Sequence, residues 1–509
     1  MTSVILKGQS SGMIPKNFNK VFSPNALILS AMVLIILAPV IYYHAPWFAN
    51  GADVFYAKAK LLQVQQGHLF TDPITGYDTF HPPLFHIVLY ALTTTGLSAD
   101  SGLTLMTILQ VILIFFFTYR IIKSSFNAET ALYTGLLTLF IFEFMGSRNI
   151  LLASSFNFSI PFFLWGLSLY LKSGDSRKRI IAISFLWGIA FLLSPVYLFL
   201  LIAIAVRDYI TFRSYKRLGV ASITFLITIT LFIIQAITVY SQGLEHSRTF
   251  ALWRGIPGMN YWGDFWLTLF TTNLYGLSNI FGWLSILMVL LFFATVAKMR
   301  RIDWLTTTAF IAFVFTYYNF SGQYAIRMKY FLFLPIVAQV IYFARYELKS
   351  RYPLVVLLTL MIPISIYAHY HSVMDDYKRW DRGYKANDRL GKDFWQNMDT
   401  FLENNEFILS TKNTYFRYVM IYKPIHMLGA YKTLDYFQLD STIADEMETD
   451  YNLLTSTTDI DVVNNIADKY HARTAVFSGP DYNSQLFQTL APRWPMVYRD
   501  KYFAVFKKP

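Results

Sequence analysis

The sequence contains no cysteine, little charge for its size, and little glycine or proline. The missing cysteine removes thiol nucleophiles, Fe–S clusters, thiolate zinc sites and any disulfide scaffold. With 24 glycines and 18 prolines in 509 residues, collagen-like and low-complexity chains are excluded as well. Only 15% of residues are charged, against 55% hydrophobic and 18% aromatic, which excludes an ordinary soluble protein and points to a membrane protein. The net charge of +12 invites a nucleic-acid reading until the charges are located. Residues 1–370 hold 26 Lys+Arg and 12 Asp+Glu, while residues 371–509 hold 17 and 19. A positive excess confined to the apolar part suits membrane-side loops, and no nucleic-acid partner is expected.

Apolar runs of about 20 residues can cross the hydrocarbon core as helices. Eleven such spans are expected, near 25–45, 102–122, 129–146, 150–172, 180–193, 195–209, 217–240, 276–297, 304–319, 329–345 and 353–370. The run 180–209 is too long for one crossing, and Ser194-Pro195 at its middle divides it into a hairpin of two short helices. The apolar stretch from His81 to Ser98 opens with Pro82-Pro83 and holds Thr93-Thr94-Thr95, so it reads as a helix in the interface. With the N-terminus inside, cytoplasmic segments carry 19 Lys+Arg and the outer side only 7, among them Lys58, Lys60, Arg148, Arg327 and Lys329. An odd number of spans then puts residues 371–509 outside. No small-residue cleavage site precedes the first span, which reads as an uncleaved anchor.

Residues 371–509 read as a soluble α/β domain with acidic clusters such as Asp445-Glu446-Met447-Glu448. Near its end, Ile466 to Tyr470 reads as a helix, Thr474 to Phe477 as a strand, and Met496 to Phe506 as a closing β-hairpin. No internal repeat, phosphate-binding glycine loop or His-Glu-x-x-His pattern is present.

Chemistry is most readily sought in the two long outer loops, 46–101 and 241–275, because loops this long tend to be functional. A helix starting at Asp53 would put Val54, Ala57, Leu61 and Val64 on one side, with Asp53, Tyr56, Lys60 and Gln63 on the other. A carboxylate, a phenol and a cation thus share one face. Asp53 reads equally as an N-cap, and the two roles can coexist.

The order of these features resembles the GT-C glycosyltransferases: a short N-terminus, one span, a long outer loop with Asp53 and Tyr56 just after it, a returning His81-Pro82-Pro83-Leu84, a Ser147-Arg148 pair opening the next outer loop, further spans, and a C-terminal extracytoplasmic domain. Within these, the sequence is most similar to the protein O-mannosyltransferase and aminoarabinose-transferase group. The resemblance implies transfer of one sugar from a polyprenyl-phosphate donor to a hydroxyl- or phosphate-bearing acceptor (lipid A, protein or envelope polysaccharide) at the outer membrane face. It implies Asp53 as catalytic residue.

The chemistry agrees, because a glycosyl phosphate already has a good leaving group. A base must deprotonate the acceptor and cations must hold the departing phosphate. The expected phosphate contacts are Arg327, Lys329, Lys60 and Arg148, and the expected substrate contacts Tyr56, His81, Glu143 and Tyr324. For Arg327 and Lys329, interfacial snorkelling is the competing reading. Family members often carry a carboxylate after the arginine of the second outer loop. Here Arg148 is followed by Asn149 and apolar residues, and Glu143 precedes it. No firm cofactor follows, and a divalent metal stays an open alternative. His68, His81 and His86 fit no tight ligand set. Trp253, Tyr261, Trp262, Trp266 and Tyr275 of the second long loop read as an interfacial belt or as a lid stacking on sugars. A flippase of lipid-linked sugars and a non-catalytic envelope scaffold are the rival functions; the first predicts internal symmetry, which is not seen.

Overall fold

The computed structural model describes residues 24–44, 52–74, 76–78, 82–143, 150–172, 176–241, 290–298, 304–320, 322–347, 392–411, 423–428 and 441–509, with single positions between 363 and 378. The apolar part is helical: α1 (Pro24–Tyr43), α2 (Ala52–Gln65), α3 (Leu84–Thr94), α4 (Ala99–Ser125), α5 (Ala128–Glu143), α6 (Ser155–Tyr170), α7 (Arg177–Leu193), α8 (Leu198–Phe212), α9 (Tyr215–Thr228), α10 (Thr230–Ser241), α11 (Trp304–Phe320) and α12 (Gly322–Tyr342). Serine sets several of the starts. Ser98, Ser154, Ser176 and Ser214 each accept a hydrogen bond from the backbone N–H three residues on, satisfying a donor that the helix leaves open.

Ser194-Pro195 breaks the long apolar run as expected, with a single 3₁₀ turn, Pro195–Tyr197, between α7 and α8. The halves then find different neighbours, α7 packing on α6 and α9, and α8 on α11. The expected span 217–240 bends by 57° between Thr228 and Thr230. Thr228 and Thr230 both turn their hydroxyls back to carbonyls of the preceding turn, which competes with the helical ladder at that point. Close helix crossings depend on glycine. A Cβ at Gly166 would come within 2.5 Å of Trp187 Nε1, and that indole crosses Gly166 to donate to the Phe163 carbonyl at 3.2 Å.

Among the described residues, Ala99–Ser125 and Pro195–Phe212 are long and apolar enough to cross a membrane, and the bent α9–α10 pair makes a third. Shorter apolar helices include Ser30–Tyr43, Trp304–Tyr318 and Leu84–Thr94, the last too short to cross. The expected span 353–370 and most of 276–297 lie outside the described residues, as does the second long outer loop.

The C-terminal part is a five-stranded sheet of order β2-β1-β3-β5-β4, formed by β1 (Phe407–Leu409), β2 (His426–Leu428), β3 (Thr474–Ser478), β4 (Met496–Arg499) and β5 (Phe503–Lys507). β1 runs parallel to β2 and β3, whereas β5 is antiparallel to β3 and β4. Every residue of β3 is buried, so both sheet faces are covered. Ala475, Phe477 and Phe506 pack with Leu454, Val463 and Ile466 of α13 (Ser441–Ser456) and α14 (Ile460–Lys469). Ile408, Val476 and Val505 pack on Phe394, Met398 and Phe401 of the helix Lys392–Phe401.

Candidate functional site

The site is built around α2, whose polar face has the expected spacing. That face turns toward the returning arm of its own loop and toward the sheet. The Tyr56 hydroxyl donates to Asp72 Oδ2 at 2.8 Å, and Gln63 Nε2 donates to Asn405 Oδ1 at 3.4 Å. Between them the Lys60 ammonium, fully buried, donates to the Thr71 carbonyl. Burial drives the Lys60 pKa down to about 8, against the pull of Asp72 and Asp78. Burial first, then Asp72, pushes the Tyr56 phenol well above its ordinary value, so it is a hydrogen-bond donor and not a base at neutral pH. Lys60 was expected to hold a donor phosphate. In the structure its ammonium is buried and donates to the Thr71 carbonyl.

Asp72 anchors the turn. It is 1% exposed, and its Oδ1 accepts from the Ile74 backbone N–H at 2.9 Å across Pro73. Its own N–H donates to the Tyr77 carbonyl at 2.8 Å. Asp-Pro is a turn signature, and this was the signal available for a residue that the helical-face argument passed over. The turn then docks on edge strand β2: Met427 N–H donates to the Ile74 carbonyl at 3.0 Å, and His426 Nδ1 donates to the Pro73 carbonyl at 3.1 Å. A Cβ at Gly76, whose φ is +75°, would meet the His426 ring at 3.0 Å. The turn at Asp72-Pro73-Ile74 thereby covers the sheet edge.

Burial depresses the His426 pKa, the Pro73 carbonyl and Asp72 opposing the shift and His68 adding to it. A depressed histidine stabilises the folded state fully above its unfolded value of about 6.5, and that contribution is lost as pH falls toward the folded value. Acidification below about pH 6.5 should therefore lower the melting temperature of wild type more steeply than that of His426→Phe. Parallel slopes would remove His426 from the latch.

Asp53 lies within α2, whose described part begins at Ala52, so it is a helical residue and not the N-cap. A carboxylate near a helix start is favoured by the macrodipole. Glu143 closes α5, and Tyr324 and Lys329 lie on α12; the side chains of all four are outside the described residues, as are His81 and Arg148 entirely. Arg327 on α12 sets its guanidinium 5.5 Å from the Phe156 ring centroid, at the start of α6. Two residues further along, Phe158 meets Phe85 at 5.9 Å, and His86 meets Tyr56 at 6.1 Å. A run of ring contacts through α6 and α3 thus links Arg327 to the helix carrying Asp53. His86 is buried in this aromatic run and His68 is exposed, so they form no cluster, and no group of three His, Asp or Glu suited to a metal occurs among the described residues.

Gln110, in the middle of α4, is a second residue that the sequence reading passed over. It is fully buried, and its amide nitrogen donates to the Ile150 and Leu152 carbonyls at 2.7 and 3.0 Å. Asn157 Nδ2 donates to the Leu152 carbonyl at 3.0 Å. A lone amide inside an apolar span was the available signal. These bonds fix the chain where it enters α6. Gln110→Leu leaves the Ile150 carbonyl without that donor, at about 1–3 kcal/mol, while the Leu152 carbonyl keeps its bond from Asn157. The melting temperature should drop, and an unchanged value would mean that the Ile150 carbonyl finds another donor.

No protein-family model matches the sequence, and no curated protein matches it. Solved structures do. ArnT from Cupriavidus metallidurans, bound to undecaprenyl phosphate, is similar over 94% of this chain and 97% of its own, with TM-score 0.57 and 14% identity. The apo oligosaccharyltransferase of Archaeoglobus fulgidus is similar over 94% of this chain and 73% of its own, with TM-score 0.53 and 11% identity. The oligosaccharyltransferase AglB of the same archaeon, in complex with an inhibitory peptide and a dolichol-phosphate, gives TM-score 0.52 at 10% identity over 93% of this chain and 71% of its own. At such low identity the likeness is one of fold: this chain shares the fold of ArnT and of the archaeal oligosaccharyltransferase.

Proposed function

We propose that the protein is a membrane glycosyltransferase that moves a single sugar from a polyprenyl-phosphate donor to a hydroxyl- or phosphate-bearing acceptor at the outer face of the membrane. The observation that carries this reading is the likeness over 97% of ArnT, whose structure holds undecaprenyl phosphate, combined with an aspartate on the first helix of the first outer loop. In the reaction, Asp53 takes the proton of the acceptor hydroxyl, whose oxygen attacks the anomeric carbon. The bond from that carbon to the phosphate oxygen breaks, and the polyprenyl phosphate leaves with the electron pair. Arg327 holds the phosphate, with Lys329, Lys60 and Arg148 as further cations. Tyr56, His81, Glu143 and Tyr324 shape the acceptor side, Tyr56 through Asp72. Lys60 also supports the loop from inside.

The reading includes eleven spans, a cytoplasmic N-terminus, residues 1–370 as the catalytic membrane module and residues 371–509 as an outer α/β domain. Purified protein in lipid nanodiscs, given a radiolabelled sugar on undecaprenyl phosphate together with envelope extract, should pass the label to an extract component. Label that crosses a sealed vesicle while still attached to its carrier would identify a flippase. Retention of the lipid with neither transfer nor crossing would identify a scaffold.

A further inference from the structure

One end of the helical bundle carries a patch of cations that the fold itself does not use. Tyr170 at the end of α6, Arg207 near the end of α8 and Trp304 at the start of α11 meet there, with the Arg207 guanidinium 3.3 Å over the Trp304 ring and Nη1 donating to the Tyr170 hydroxyl at 3.3 Å. The α6–α7 and α8–α9 turns both belong to this end. Residues 151–230 contain eight Lys+Arg and two Asp+Glu.

Three of these cations have work within the protein. Arg217 grips Asp208 with two bonds of 2.7 and 3.0 Å and lies 4.2 Å over the Phe212 ring. Arg207 is held as above, and Arg179 Nη1 donates to the Lys172 carbonyl at 2.9 Å. The other five, Lys172, Arg177, Lys178, Arg213 and Lys216, are exposed, and among the described residues none has a carboxylate partner.

The helices do not call for these charges. Arg177 and Lys178 occupy the first turn of α7 and Lys216 the first turn of α9, where no acid is present and the macrodipole disfavours cations. Arg213 is in the left-handed region, φ 47° and ψ 34°, a conformation that glycine or asparagine adopts at lower cost. Beside them are exposed apolar side chains: Ile181 one turn along α7 from Arg177, Val206, Ile210 and Phe212 on the last turns of α8, and Tyr215 at the start of α9. Exposed apolar side chains near cations that have no carboxylate partner among the described residues are the arrangement that suits a lipid headgroup interface.

We propose that this end of the bundle binds anionic glycerophospholipid, its five exposed cations pairing with phosphodiester headgroups while the exposed apolar side chains lie against the acyl chains. The proposal stands apart from the sugar-transfer reading, because it uses none of the residues assigned to that chemistry. Melting of the purified protein is to be followed with added phosphatidylglycerol, with phosphatidylcholine and with inorganic phosphate, and bound lipid counted by native mass spectrometry. Wild type should be stabilised by phosphatidylglycerol well beyond phosphatidylcholine, with inorganic phosphate having no effect. Arg177→Gln/Lys178→Gln/Arg213→Gln/Lys216→Gln should lose the preference, by roughly fivefold in affinity per cation, the factor matching about 1 kcal/mol for each Lys or Arg at an anionic surface. Arg177→Lys/Arg213→Lys should keep it.

Equal stabilisation of wild type by both lipids overturns the proposal without recourse to any variant. So does a full effect from inorganic phosphate, which would mark a simple anion site. Undiminished selectivity in the fourfold glutamine variant overturns it too.

Discussion

Asp53→Asn should lower sugar transfer by about 10²–10⁴-fold, the range that a positioned general base contributes. The amide has nearly the shape of the carboxylate but accepts no proton at neutral pH, so the acceptor hydroxyl must attack undeprotonated. Donor binding should stay close to wild type, since the phosphate is held by cations elsewhere. Folding should be preserved as well, because Asp53 is already inside α2, and the helix is fixed by bonds further along, Tyr56 to Asp72 and Lys60 to Thr71. The measurement is transfer rate and donor affinity on the same purified sample. Wild-type turnover would remove Asp53 from the mechanism, and a joint loss of affinity and thermal stability would make it a structural residue.

Arg327→Ala should weaken binding of the polyprenyl-phosphate donor by about 10–100-fold, matching the roughly 1.5–3 kcal/mol of hydrogen bonds to a charged group. A guanidinium can grip a phosphate through two parallel hydrogen bonds, so Arg327→Lys should recover only part of the loss. Its place beside Phe156 matters here, because a cation lying on a ring face has its orientation restricted before the lipid arrives. Donor affinity by titration, with turnover at saturating donor, separates the roles. A binding residue raises KM and leaves kcat closer to wild type. If both variants bind donor as well as wild type, Arg327 is an interfacial anchor and the phosphate falls to Arg148 or to a cation of the second long outer loop.

Some features were legible in the sequence because they depend on local periodicity. The apolar runs marked helices near α1, α4 to α9, α11 and α12, since a membrane helix satisfies its own backbone and needs only length and apolarity. Ser194-Pro195 marked a break, as proline removes a donor. Thr474 to Phe477 and the hairpin closing at Phe506 followed from β-rich runs around a turn. The shared face of Tyr56, Lys60 and Gln63 followed from 3.6-residue periodicity.

What that face touches was decided only in three dimensions. Periodicity gives direction but not partner, and the partners Asp72, Thr71 and Asn405 lie up to 342 residues away in the chain. The short strands β1 and β2 escaped the sequence reading because three-residue strands have too little alternation to read; they exist because the sheet pairs them. Burial by the returning loop, and not residue type, set the Lys60 ammonium on the Thr71 carbonyl and put His426 under that loop. Which cations are spent and which are left over was likewise a tertiary outcome. Arg207 and Arg217 look like Arg177 and Arg213 in the sequence, yet the first two face Trp304 and Asp208 while the others face outward. Pairing depends on what the fold brings within a few ångströms, and a linear pattern does not contain that distance.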